Sequence, residues 1–189
     1  MINSGLTCDP KQYSLMVCLY VKTSMKAFAV FLLLTTNTLM LNAQVAVPVI
    51  SFSSLESRLQ AADNTTTWVV NFWATWCAPC IREIPYFEMI GETYADAGVK
   101  ILLVSLDRSE SLQSRLIPFI EQRSLKSEIL LLDDPNSNAW IPKVSPDWTG
   151  SIPATLIFNK NHRAFYEKEF TYEELKNAVD TALNAIHKK

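Results

Sequence analysis

Thr67-Trp68-Val69-Val70-Asn71-Phe72-Trp73-Ala74-Thr75-Trp76-Cys77-Ala78-Pro79-Cys80 is the stretch from which the architecture of this 189-residue chain is read. Its first seven residues are rich in β-branched and aromatic side chains and too continuously apolar to leave one face wet, the pattern of a strand buried on both sides. The strand delivers two cysteines, separated by two residues, to a helix predicted from about Cys77 to Ala97. Gly98 is placed to stop that helix and Pro85 to kink it. A thiol in the first turn of a helix meets unpaired amide hydrogens and the positive end of the helix dipole, and both favour thiolate.

Outward from this stretch the chain alternates short apolar runs with amphipathic segments. Leu55, Leu59 and Ala62 are spaced for a helix over Ser53 to Ala62, capped by Ser53 or Ser54. Val99 to Leu106 and Glu128 to Leu132 read as buried strands, with a helix over Leu112 to Arg123 between them. Turn residues at Asp133-Asp134-Pro135-Asn136 open a segment, irregular or briefly helical, that reaches Gly150. Ala154 to Phe158 and Ala164 to Phe170 then form a hairpin across Asn159 to His162. A closing helix over Thr171 to His187 begins with a capping box of Thr171 and Glu174. The fold class is α/β, a central mixed β-sheet flanked by helices. This order of elements is that of a thioredoxin-like domain with an additional N-terminal element.

The first part of the chain reads differently. Lys22 and Lys26 flank Met25, and the apolar run from Ala27 to Leu34 is followed by polar Thr35 to Thr38 and then Leu39 to Ala43. These are the parts of a signal peptide over 25–43, cut after Ala43. The polar patch breaks the run well short of the roughly 18 apolar residues expected of a membrane anchor. Residues 1–24 then form an upstream extension of the kind a misassigned start codon produces, and Cys8 and Cys18 leave with it. The domain proper is 44–189, extracytoplasmic once the leader is removed. With a net charge of −2 the chain has no basic field for nucleic acid.

Cys77, nearer solvent on the first turn, is the expected attacking sulfur. Cys80, three residues later on the same face, is the resolving one. Pro79 stiffens the turn between them. Two other uses of such a pair are a zinc half-site and an inert bridge. Zinc needs about four ligands, and the chain after the leader has neither a second C-x-x-C nor a well-spaced histidine pair, His162 and His187 being far along the chain. An inert bridge across two residues closes too small a loop to hold a fold together. No metal or cofactor is therefore expected beyond the redox-active cysteine pair.

Val70 to Cys80, followed by Glu83 and Pro85 and later by Ser151-Ile152-Pro153-Ala154-Thr155, resembles the TlpA/ResA-like branch of the thioredoxin superfamily. The resemblance covers nearly all of the chain after the leader. It implies that Pro153 is a cis-proline beside a Cys77–Cys80 disulfide, with Ile152 contacting the cysteines and offering backbone hydrogen bonds to an extended substrate. It also implies that Glu83 is the carboxylate that tunes the thiols and moves protons, because Asn71 stands where thioredoxin has a buried aspartate. Read without the resemblance, Glu83 is an early helical acid facing water and favourable to the dipole. Trp76, with Ala78 and Pro79, forms the expected docking surface, and Trp73 belongs in the core. Trp140 and Trp148 either line a substrate groove or pack the irregular segment, and His162 is a solvated turn residue.

The activity implied is reduction of protein disulfides outside the cytoplasm. The implied partners are cysteine-containing protein substrates, an apocytochrome among them, and a membrane thiol-electron donor. Two alternatives are a net oxidant or isomerase of the same fold and a module that binds extended peptides without turnover.

Overall fold

The computed structural model describes residues 45–60 and 65–187. The upstream extension, the signal peptide, its cleavage point, Cys8, Cys18 and the end of the first helix at Ala62 lie outside the described residues.

Six strands form one sheet in the order β1-β4-β3-β2-β5-β6. They are β1 (Val49–Ile50), β2 (Thr67–Trp73), β3 (Val99–Ser105), β4 (Glu128–Leu132), β5 (Ala154–Asn159) and β6 (His162–Tyr166). The first four in that order pair in parallel, whereas β5 is antiparallel to both β2 and β6. The sheet is therefore mixed, and the fold is thioredoxin-like. Five helices flank it: α1 (Phe52–Gln60), α2 (Ala78–Thr93), α3 (Ile117–Arg123), α4 (Ser137–Val144) and α5 (Tyr172–His187).

The alternation of side chains along β2 explains its unbroken apolar run. Val69 and Trp73 enter a core with α2, α3 and α5, while Val70 and Phe72 enter a second core with α1 and α4. Both faces are covered, so neither half of the pattern is polar. Trp140 and Trp148 pack in the second core, with Trp140 stacked on Phe52 and Trp148 against Phe72 and Phe165. Both rings are buried in that core.

The structure departs from these expectations at several elements. β1 is two residues long, too short to carry a pattern, and adds to the sheet by pairing with Leu131 and Leu132. The first helix begins one residue early, at Phe52, and the Ser54 amide turns back to Ser51 Oγ rather than to Ser53. The helix expected over Leu112 to Arg123 is broken into a π turn (Leu112–Leu116) and α3, and a 3₁₀ turn (Ser109–Ser111) precedes them. Pro118 has no amide hydrogen, so the regular ladder cannot pass through it, and it sits instead at the start of α3. His162 opens β6 opposite Asn159 and is half-buried, with its Nε2 lacking a hydrogen-bond partner. The strand thus starts within the expected turn and ends at Tyr166, before Phe170.

The capping box at Thr171 forms: the Glu174 amide reaches Thr171 Oγ1 at 3.3 Å, and Glu174 Oε2 receives the Thr171 amide at 2.9 Å. α2 ends at Thr93, and a 3₁₀ turn (Ala95–Ala97) leads to Gly98 at φ 76°. There the chain takes a left-handed residue to enter β3. Gly98→Ala is expected to lower stability by about 1–2 kcal/mol, the cost of an L side chain in that region. Urea unfolding should show a lower midpoint at unchanged m-value.

Candidate active site

Cys77 closes the loop that leaves β2 and stands as the N-cap of α2 in extended backbone, φ −90° and ψ 97°. Its Sγ receives the Cys80 amide at 3.3 Å, the place a serine or aspartate oxygen takes at other helix starts. A negatively charged sulfur at this point would keep that amide and gain from the dipole. Cys77 and Cys80 are joined by a disulfide. Cys77 is 5% exposed and Cys80 fully buried, so an incoming sulfur meets Cys77 first. Ala78 is exposed and Pro79 half-buried beside them, and Trp76 is 62% exposed. Trp73 is fully buried.

The other side of the site comes from the loop before β5. Because β5 runs antiparallel to β2, with Phe72 opposite Ala154, the residues just before β5 return to the end of β2 that leads to the cysteines. The Ile152–Pro153 peptide is cis. Cys77 Sγ lies 3.7 Å from the Ile152 carbonyl oxygen. The loop is held from β6 onward by Glu167, which accepts the Ser151 amide at 2.8 Å, the Thr149 amide at 3.1 Å and the Thr149 hydroxyl. Trp148 Nε1 adds a bond to the Ser151 carbonyl at 2.8 Å.

Glu83 does not face water. It is fully buried one turn beyond Cys80, with Asn71 Nδ2 donating to Oε1 at 2.8 Å and the Phe170 amide to Oε2 at 2.8 Å. Asn71 also donates to Thr155 Oγ1 at 3.0 Å, across the β2–β5 pair, while its own Oδ1 is buried without a partner. Burial dominates the carboxyl and pushes it from 4.5 up to about 7, against the two hydrogen bonds that favour its charge and with help from nearby Glu169. Glu169 itself forms a two-bond pair with Arg82 on the surface of α2.

Sequence reasoning named Cys77, Cys80, Glu83, Trp76, Ile152 and Pro153, and the fold brings them to one end of the sheet. It missed Asp107, Thr75 and Glu167, polar residues with no spacing that marks them. Among the described residues no group of three or more His, Cys, Asp and Glu could hold a metal ion.

A sequence profile described as the AhpC/TSA family matches residues 48–164, and the chain belongs to that family. Among curated relatives, it is 34% identical over 117 residues to the thiol-disulfide oxidoreductase ResA of Bacillus cereus, a match covering 62% of this chain and 61% of that one. A second ResA, from Geobacillus thermodenitrificans, is 29% identical over 115 residues, 59% of this chain and 60% of that one. The chain thus spans about three fifths of the length of these relatives. Two solved structures share the fold: a thioredoxin-related protein from Neisseria meningitidis (TM-score 0.55, 23% identity, 69% of this chain and 91% of that one) and a thiol:disulfide interchange protein from Chlorobium tepidum (0.53, 21%, 64% and 81%).

The raised Glu83 carboxyl makes stability depend on pH. Between the unfolded value near 4.5 and the folded value of about 7, the folded chain keeps a proton that the unfolded chain has lost. Stability therefore falls as pH rises through this window, by up to about 1.4 kcal/mol per unit, and levels off above it. In Glu83→Gln this contribution should vanish, since the amide carries no proton to titrate in this range. Urea midpoints at several pH values in this window test it: the wild-type decline should be missing from the variant.

Proposed function

We propose that this protein is an extracytoplasmic thiol-disulfide oxidoreductase that reduces protein disulfides through Cys77 and Cys80. The observation that carries this reading is the placement of the Cys77 sulfur, capping α2 and 3.7 Å from the carbonyl before Pro153. Cys77 and Cys80 are the cysteines of the described residues. The relatives named as thiol-disulfide oxidoreductases support the same chemistry.

In the reduced protein the Cys77 thiolate attacks one sulfur of a substrate disulfide. A Cys77–substrate mixed disulfide forms, and the second substrate sulfur leaves as a thiolate and takes up a proton. Cys80 then loses its proton and attacks Cys77 Sγ, forming the Cys77–Cys80 disulfide and releasing the first substrate sulfur as a thiol. Two electrons have passed to the substrate. Glu83 is the buried group one turn beyond Cys80 that takes the Cys80 proton, and a carboxyl near 7 can both hold and release one at neutral pH. The backbone of Ile152 and Pro153 aligns an extended substrate segment, while Trp76, Ala78 and Pro79 form the surface it meets. Return to the dithiol requires a dithiol donor, which for an exported protein is a membrane thiol-electron carrier. The leader read in 25–43 and the domain limits 44–189 complete this reading.

Redox titration of the chain from Gln44 onward, with thiol trapping of both cysteines, tests the direction. A potential near or below about −250 mV supports a reductase, whereas one near about −120 mV makes the protein an oxidant. A pair that does not cycle leaves a peptide-binding module. Cys80→Ser is expected to accumulate the mixed disulfide with a protein substrate, visible as a reducible adduct by mass, and Cys77→Ser to form none.

A further inference from the structure

We propose that Asp107 is a positioning residue for the nucleophile, fixing the turn from Ala74 to Cys77 on which the attacking sulfur and Trp76 are carried. The inference rests on Cys77 being that nucleophile.

Asp107 is a buried acid, 3% exposed, two residues beyond β3. Among the described residues it forms no ion pair with a basic side chain. Its carboxylate instead receives three donors: the Thr75 amide at 2.9 Å, the Thr75 hydroxyl at 2.6 Å and the Ser105 hydroxyl at 2.8 Å. Ser105 in turn accepts the Asp107 amide at 3.1 Å, so the acid is held as firmly as it holds. Burying a carboxylate is costly, and here three hydrogen bonds rather than a cation offset that cost.

What it orders is the approach to Cys77. β2 and β3 are parallel neighbours with Trp73 opposite Ser105, so the loops that leave them run side by side, joined first by the Leu106 amide on the Trp73 carbonyl at 2.7 Å. The next four residues of the β2 strand's exit close a turn through the Cys77 amide on the Ala74 carbonyl at 3.1 Å. Thr75 and Trp76 are its two central residues, and Asp107 grips the first by both backbone and side chain. Without that grip, the exit of β2 would lose two of its hydrogen bonds to the loop after β3. Cys77 Sγ would lose its fixed place relative to the Cys80 amide and the Ile152 carbonyl, and Trp76 its fixed orientation in solvent. Small misplacements of a reacting atom have large effects on rate.

The test compares Asp107→Ala, Asp107→Asn and Thr75→Val in the full chain, reading the rate of Cys77 alkylation in the reduced protein and the rate of reduction of a protein disulfide. Asparagine keeps an acceptor for the Thr75 amide and can donate to its hydroxyl, so it preserves the grip and removes only the charge. Asp107→Ala is expected to slow both rates about 10-fold, Asp107→Asn to restore them to within about 3-fold of wild type, and Thr75→Val to fall between. Wild-type alkylation in Asp107→Ala overturns the proposal, as does an asparagine variant as slow as the alanine one, which would assign the effect to charge. If Asp107→Ala does not fold, Thr75→Val decides, and a wild-type rate there overturns it. A wild-type protein that alkylates at Cys77 but reduces no protein disulfide would sink the functional reading alone, and the alkylation comparison would still decide Asp107.

Discussion

The antiparallel pairing of β5 on β2 is the constraint from which the site follows. Cys77 and Pro153 are 76 positions apart in the chain and belong to segments with no local reason to meet. The register that sets Phe72 opposite Ala154 and Asn71 opposite Thr155 puts the exit of one strand beside the entrance of the other. The ladder hydrogen bonds and the two cores that cover both faces of β2 make that register hard to slip, since a one-residue shift would send Asn71 into the wrong core. The sulfur is thus positioned by the most deeply buried part of the molecule.

Each of the two loops that meet there is tied by one carboxylate. Asp107 holds the turn before Cys77 through Thr75, and Glu167 holds the segment before Pro153 through Thr149 and Ser151. Loops are ordinarily the mobile parts of a domain. Here backbone amides that no strand partner satisfies are given to side-chain oxygens.

Glu83 shows how burial and chemistry are joined in this fold. Its position in α2 aims it between β2 and α5, where Asn71 and the Phe170 amide supply two donors but no cation. The resulting carboxyl is poised near neutrality, and it weakens the fold as it does so. Asn71, with one acceptor left unpaired, belongs to the same compromise.

The strand at Thr67–Trp73, the helix starting at the cysteines, the left-handed Gly98 and the capping box at Thr171 were all legible in the sequence, because each depends on residues within a turn or two of one another. The same is true of the cysteine pair, whose spacing is its chemistry. β1 was not legible, since two residues form a strand only when β4 offers an edge. Nor was the break at Leu112–Leu116, where Pro118 overrides a helical pattern. Asn71 and Glu83 could be named but not their bond, and Asp107, Thr75 and Glu167 could not be singled out at all. A polar residue becomes part of a site when folding removes water from around it and leaves another segment's amide as its partner, and that pairing exists only in three dimensions.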